Sequence, residues 1–235
     1  GPEYALLNRV YSRARKYHAI DDSSPPSILI YFGGADNANL TGRVVSVLQK
    51  AQFTHILVTV VISRQSYYYA NVKNQLKGSN NFRLLSDLPD LSSVIANSSL
   101  AIGAGGTTTW ERLCLGVFTL VITLAENQDE SARCLHDLGL IDWIGKDNEF
   151  DEHRLANAVT AYFKDDKKNA LRQSLMSHVD GKGAERVASV FLNPAHKLLT
   201  SRRANATDSE LLYSWVNDAI VRNNSLNQAV IDWGD

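Results

Sequence analysis

Glycines and polar side chains follow one another closely in Phe32-Gly-Gly-Ala-Asp36, and Asn39 comes just after them. Gly33 and Gly34 would let a ligand approach the backbone closely. Asp36 and Asn39 precede a helical pattern, whose first N–H groups could meet an anion. A Gly-Gly pair by itself also marks an ordinary tight turn. The fingerprint G-x-G-x-x-G is missing here, which argues against a dinucleotide.

A second and stronger candidate is the run from Gly103 to Glu111, which holds three glycines and three threonines before a helical pattern. Backbone donors and hydroxyls in such a loop suit a phosphate, and a carboxylate one turn further suits the paired hydroxyls of a ribose. The alternative is a capping box of Thr108 and Glu111. No lysine follows the glycines, so this is not a P-loop. The predicted ligand-binding residues of this run are Gly105, Gly106, Thr107, Thr108 and Glu111.

The third candidate is Ala125-Glu-Asn-Gln128, again before a helical pattern. Asn127 and Gln128 carry donors and acceptors for sugar hydroxyls or phosphate, although helix N-capping is the simpler role. None of the six histidines stands beside a nucleophile or at metal-ligand spacing. His18 is the most interesting of them, because it lies near a domain junction. We predict no catalytic residue, no metal site and no cofactor on this chain.

Apolar runs that alternate with helical patterns would position these loops. The alternation predicts an α/β fold, a Rossmann-like parallel sheet with helices on both faces, which binds ligands at the carboxyl ends of its strands. The predicted strands are Ser27–Phe32, Thr54–Ile62, Phe82–Leu85, Leu100–Gly103, Phe118–Thr123 and Ile141–Ile144. The predicted helices include Tyr67–Lys77, Leu88–Asn97, Thr108–Leu115, Gln128–Leu138, Asp151–Phe163, Asp165–His178 and Ala184–Leu192.

Composition narrows the classes of partner. The 235 residues carry 24 Lys and Arg against 25 Asp and Glu, a net charge of −1. No basic excess is present for nucleic acid or an anionic membrane, so local geometry must hold any anionic ligand. The longest apolar run, Leu115–Ala125, is too short to span a bilayer. Two cysteines fit a reducing compartment, and we expect a cytoplasmic protein.

Three regions follow from these patterns: a hinge segment and linker over residues 1–26, a Rossmann-like domain over 27–195, and a tail over 196–235. The tail is too short for a core of its own. A capping box is predicted at Thr207 and Glu210, ahead of an apolar helix face.

The three loops, together with the opening Gly1–Leu7, resemble the C-terminal half of the UDP-sugar hydrolases of pseudaminic acid biosynthesis over residues 1–195. These enzymes release UDP and 2,4-diacetamido-2,4,6-trideoxy-L-altrose by attack of water on the anomeric carbon. The resemblance implies the C-terminal half of a GT-B fold that binds UDP or a UDP-sugar, with Glu111 on the ribose. It also implies that the catalytic half, with its histidine, is not part of this chain. Phe118 departs from the proline common in that family.

Two other functions stay open at this stage. The same loops occur in GT-B glycosyltransferases, and a non-catalytic module that binds nucleotide sugars would need them equally. The tail, from Arg203 to Trp233, resembles the beginning of a GNAT N-acetyltransferase, a short partial α/β unit whose acetyl-CoA loop would lie past Asp235.

Overall fold

The computed structural model describes residues 1–17, 25–34, 36–165, 168–192, 202–223 and 229–233. His18, most of the predicted linker and the start of the predicted tail lie outside these residues. The chain divides into two compact units, Gly1–Ala188 and Ser189–Asp235.

A six-stranded parallel sheet forms the centre of the first unit. Its strands are β1 Ser27–Tyr31, β2 Leu57–Val61, β3 Phe82–Leu85, β4 Leu100–Gly103, β5 Phe118–Thr123 and β6 Asp142–Lys146. They lie in the order β3-β2-β1-β4-β5-β6. The central strands are apolar runs because both of their faces are buried. The predicted Rossmann-like fold is thus confirmed.

Helices cover both faces of this sheet. They are α1 Arg9–Tyr17, α2 Leu40–Leu48, α3 Tyr69–Gln75, α4 Ser92–Ala96, α5 Thr108–Cys114, α6 Glu126–Asp137, α7 Glu152–Lys164, α8 Lys168–His178 and α9 Gly183–Leu192. One apolar layer packs α2, α3 and α7 against one face, and the other packs α1, α4, α5, α6 and α8 against the opposite face. Ile28 and Ile30 point into the first layer and Leu29 into the second, as the two-residue period of a strand requires. Short 3-10 turns occupy Pro2–Tyr4, Ala51–Phe53, Asp147–Glu149 and Ala206–Asp208.

Two predicted boundaries are wrong by several residues. The second strand starts at Leu57 because the chain is still turning after Ala51–Phe53. The fourth helix starts at Ser92, not at Leu88. The Asp90 carboxylate accepts hydrogen bonds from the Ser92 amide (2.8 Å) and the Ser92 hydroxyl (2.5 Å), a local turn that competes with helix. The residues before α4 therefore form a loop at the carboxyl edge of the sheet.

In the second unit the described segments 202–223 and 229–233 contain the helices α10 Ser209–Val216 and α11 Ala219–Asn223 and no strand. The predicted capping box is displaced by two residues. Asn205 accepts from the Thr207 amide (2.9 Å), and Asp208 accepts from the Asn205 amide (2.8 Å). The predicted α/β character of the tail stays a prediction.

Candidate nucleotide site

A cavity of about 440 Å³ opens at the carboxyl edge of the sheet, a volume typical of small-ligand sites. The order of the strands reverses between β1 and β4, and ligands of parallel sheets bind where this reversal separates the loops. Gly33 and Gly34 line the cavity after β1, and Thr108 and Glu111 line it from α5. The other walls are Asn8, Tyr11, Tyr31, residues 61–63 and residues 87–91.

Glu111 is one of three carboxylates that line this cavity, with Asp87 and Asp90. Its carboxylate accepts a hydrogen bond from the Tyr11 hydroxyl, whereas Oε2 is buried and has no partner among the described residues. Burial raises the pKa of Glu111 above its usual value, although the Tyr11 hydrogen bond and the charge of Arg112 oppose the shift. A buried acceptor without a donor is costly, so Oε2 suits a hydroxyl brought by a ligand.

The capping interpretation of Glu111 is wrong. Helix α5 begins at Thr108, which makes Thr107 the N-cap residue, and the Thr107 side chain forms no capping hydrogen bond. Glu111 is therefore one position too far along the helix for a capping box.

A buried arginine forms hydrogen bonds that hold the Gly-rich loop between β4 and α5. Arg112 is 1% exposed. Its guanidinium donates to the Ala104 carbonyl (2.6 Å), the Thr108 carbonyl (3.1 Å) and the Thr109 hydroxyl (3.2 Å). Burial lowers the pKa of Arg112 to about 10, against the opposing effect of the Glu111 carboxylate. The hydrogen bonds of this side chain fix the shape of the loop that joins β4 to α5.

Glycine is found at different positions of the two loops for different physical reasons. Gly33 has φ +82°, which favours glycine, and a Cβ at Gly105 would come within 3.3 Å of the Val121 side chain. No atom of the described chain lies within 4 Å of the position that a Cβ would take at Gly34 or Gly106. Neither φ nor packing explains these two glycines, so open space beside the backbone is the feature that they provide.

The N–H groups of Gly106, Thr107 and Thr108 donate to no acceptor within the described residues. Thr107 is exposed, and Thr108 lies on the cavity wall. The Gly-rich loop thus offers backbone donors beside open space, an arrangement that suits an anion.

The predicted anion site at α2 is wrong, because side chains of the protein already occupy the donors of this helix. Asp36 is 5% exposed and accepts from the amides of Leu40 (2.7 Å) and Thr41 (2.9 Å). Asn39 accepts from the Gly42 amide (3.3 Å) and is the N-cap residue. The side chains of Asp36 and Asn39 therefore cap α2.

The third loop lies against the second. A Cβ at Gly105 would come within 3.5 Å of Gln128, whose side-chain oxygen accepts from the Leu124 amide (3.0 Å). Asn127 is exposed in the first turn of α6. The N-capping role expected of Asn127 and Gln128 is wrong, because α6 begins at Glu126 and its N-cap residue is Ala125.

Sequence reasoning missed Tyr11, Arg112 and the wall formed by residues 87–91. Tyr11 is far from Glu111 along the chain, and local sequence patterns do not predict contacts between residues so far apart. The missed helix start at Ser92 also hid the loop that forms the wall. In the described part of the chain, no group of three or more His, Cys, Asp and Glu side chains lies close enough together to hold a metal ion.

A parallel sheet in this order, with a cavity at its switch point beside a Gly-rich loop, has the architecture of the C-terminal domain of GT-B glycosyltransferases. Residues 28–189 match the glycosyltransferase family 28 C-terminal domain, and the chain belongs to this family.

The chain is also similar to individual proteins and solved structures. The chain is 24% identical to the spore coat polysaccharide biosynthesis protein SpsG of Bacillus subtilis over 196 residues, which are 81% of this chain and 57% of SpsG. Among solved structures it resembles MurG of Acinetobacter baumannii, with a TM-score of 0.59 at 16% identity over 77% of this chain and 52% of MurG. The spinosyn rhamnosyltransferase SpnG, solved with thymidine diphosphate, gives a TM-score of 0.54 at 17% identity over 72% of this chain and 46% of SpnG.

The chain thus spans about half the length of these relatives. Among the described residues, every helix is too short or too polar to cross a membrane.

Proposed function

We propose that the cavity at the switch point binds the UDP part of a UDP-sugar, with the ribose hydroxyls on Glu111. The observation that carries this proposal is the buried Oε2 of Glu111, an acceptor that has no donor in the described chain and stands at the cavity wall. The adjacent hydroxyls of a ribose supply two donors at the spacing of a carboxylate. Residues 87–91 form the wall beyond Glu111 and leave room for the base.

The diphosphate then lies toward the glycine loops. Open space beside Gly34 and Gly106 lets phosphate oxygens approach the backbone, and the N–H groups of residues 106–108 are available as donors. Gln128, which lies beside Gly105, and the exposed Asn127 would contact the outer phosphate or the sugar in this proposal. These contacts require no metal.

For the reaction of the whole protein we propose hydrolysis of a UDP-2,4-diacetamido-2,4,6-trideoxy hexose by water, as in pseudaminic acid biosynthesis. The support is the set of loop sequences together with the similarity to SpsG, a protein of polysaccharide biosynthesis. Within this domain the loop donors would stabilise the charge that develops on the departing diphosphate. Loss of one such donor costs about 3 kcal/mol of barrier in comparable sites.

The binding proposal is tested by calorimetry of this chain with UDP and with 2′-deoxy-UDP. We expect UDP to bind more tightly, because only the ribose provides both hydroxyls to Glu111. The variant Glu111→Gln should weaken UDP binding about 10- to 100-fold, as expected for loss of a hydrogen-bonded charge. Glu130→Gln, an exposed carboxylate on α6, is the matched control and should bind as wild type.

Two results would reject the site. One is a folded wild-type chain that binds no UDP at millimolar concentration. The other is a Glu111→Gln variant that binds UDP as tightly as the wild type does.

A second candidate function is transfer of the sugar to an acceptor, which membership of a glycosyltransferase family favours. The parent protein, incubated with the UDP-sugar alone, would release UDP rapidly if it is a hydrolase. It would release UDP only after addition of an acceptor if it is a transferase. A parent that binds the UDP-sugar and never releases UDP would support the non-catalytic module instead.

We also propose that the tail belongs to an N-acetyltransferase unit, on the sequence resemblance alone. Acetylation of an amino sugar by the parent protein with acetyl-CoA would support this assignment, and absence of that activity in a folded parent would reject it.

A further inference from the structure

Tyr11 of helix α1 joins two walls of the cavity. Its hydroxyl donates to the Glu111 carboxylate and accepts from the Leu91 amide at 3.4 Å. The ring is 3% exposed and packs in the apolar layer that also holds Leu91 and Leu113. One buried hydroxyl therefore connects the carboxylate on α5 with the end of the segment 87–91.

Helix α1 is held firmly enough to fix this hydroxyl. Arg15 donates to the Val179 carbonyl at 2.6 Å and, more weakly, to the Cys114 carbonyl at 3.4 Å. The backbone at Gly181 comes so close that a Cβ there would lie 3.0 Å from the Ser12 Cβ. These contacts place Tyr11 from the side opposite to the cavity.

The contact also constrains the carboxylate. A carboxylate held at one oxygen by a fixed donor presents its other oxygen in a defined direction, whereas a carboxylate without such a donor rotates about its last torsion. Tyr11 is such a donor for Glu111, whose Oε2 has no hydrogen-bond partner within the described residues. The match to the family starts at residue 28, so the donor comes from a segment outside the matched domain.

We propose that Tyr11 is a positioning residue of the nucleotide site, which orients Glu111 toward the two ribose hydroxyls and holds the wall of residues 87–91 in place. This inference rests on the proposed binding of UDP. It assigns to α1 a part in ribose recognition, in addition to its part in the apolar layer.

The variant Tyr11→Phe tests the inference, because it removes the hydroxyl and keeps the ring. Calorimetry with UDP and with 2′-deoxy-UDP should show that UDP affinity falls about 10-fold. The affinity for 2′-deoxy-UDP should fall much less, so that the preference for UDP largely disappears.

The pH dependence of UDP binding gives a second readout. The groups that face Glu111 are Tyr11 from α1, Tyr31 from β1, Asp90 from the loop before α4, and Arg112 beside it on α5. The Tyr11 hydrogen bond lowers the pKa of Glu111, so its removal raises that pKa. Because binding needs the carboxylate as an acceptor, the midpoint below which UDP affinity is lost should move to higher pH in Tyr11→Phe.

Tyr162→Phe is the matched control. The Tyr162 hydroxyl donates to the Ser99 carbonyl at 2.5 Å, at the opposite edge of the sheet. Its removal should lower the melting temperature and leave the preference for UDP unchanged. Circular dichroism and thermal melting establish that both variants fold.

The outcomes separate the two proposals. A folded wild-type chain that binds no UDP rejects the proposed function. A wild type that binds and prefers UDP, with a Tyr11→Phe variant of unchanged preference and unchanged pH midpoint, rejects the positioning role alone. Equal weakening of both ligands in Tyr11→Phe would also reject it, since that pattern indicates a general loss of structure.

Discussion

Gly103 ends β4, Gly106 lies three residues later in the following loop, and the two differ in what a methyl group would meet. At Gly103 it would collide with the Tyr31 carbonyl and the Arg112 guanidinium, and both are fixed inside the protein. At Gly106 it would enter open space. The same chemical change should therefore act on folding at one position and on ligand binding at the other.

We predict that Gly103→Ala lowers the free energy of unfolding by about 2 kcal/mol or more, a typical cost of overpacking. Gly106→Ala should unfold as wild type does and bind UDP at least about 10-fold more weakly, because its methyl group takes the place of a phosphate oxygen. Urea unfolding and calorimetry measure the two effects. Unchanged UDP binding by Gly106→Ala would show that the diphosphate lies elsewhere.

At the scale of single residues, the sequence indicates the ligand-binding loops correctly but does not reveal which distant residues contact them. The glycines and Glu111 stand out because their types and spacing are local. Tyr11 does not, since its role depends on how α1 packs against α5, and Arg112 looks like an ordinary helical arginine until its burial is known. The pattern at Asp36 predicts a ligand contact, because a carboxylate before a helix can either bind a ligand or cap the helix, and the sequence does not distinguish the two roles.

At the scale of elements, the N-terminus of α2 is a helix end whose free backbone N–H groups are bonded by a side chain of the protein itself. The Asp36 carboxylate receives two backbone N–H groups, and its negative charge is favourable at the positive end of the helix dipole. A phosphate would have to displace this carboxylate to reach the same donors.

The variant Asp36→Ala should therefore act on stability. Two buried N–H groups would lose their acceptor, at a cost of about 2 kcal/mol in the free energy of unfolding. The UDP affinity should stay within about twofold of the wild type, a difference of less than 0.5 kcal/mol on the scale of ~1.4 kcal/mol per tenfold. Chemical unfolding and calorimetry on the same preparation test both statements. A large loss of UDP affinity with unchanged stability would restore Asp36 as a ligand contact.

Elements are predictable where a pattern is long and apolar. The strands Leu100–Gly103 and Phe118–Thr123 occur as predicted, because strands buried on both faces are continuous apolar runs. The edge strand Phe82–Leu85 also occurs as predicted, although it is only partly buried. The sequence does not predict helix α1, since most of the residues of this helix are polar. Helix α4 starts late because a single Asp side chain favours a turn. Apolar patterns do not give the order of the strands in the sheet. The point at which this order reverses, where the cavity lies, is therefore known only from the fold.

For the whole molecule, the near-zero net charge is consistent with the way the cavity is built. Its polar groups are loop amides, hydroxyls and the carboxylates of Asp87, Asp90 and Glu111. Arg112 is buried beneath the loop, and Arg64 is paired with Asp87 at 3.0 Å. An anion at this site would meet local dipoles, which need no excess of basic residues at the surface.

All residues of the proposed site belong to the unit Gly1–Ala188, whereas several large apolar side chains of the other unit are exposed, among them Trp215 and Ile220. We predict that a fragment of residues 1–192, cut after α9 to keep that helix whole, unfolds cooperatively and binds UDP within about twofold of the full chain. Thermal melting, calorimetry and sedimentation of both proteins test this prediction. Sedimentation should show less self-association for the fragment, because the fragment lacks the apolar surface of the tail. A folded fragment that has lost UDP binding would show instead that residues beyond 192 contribute to the site.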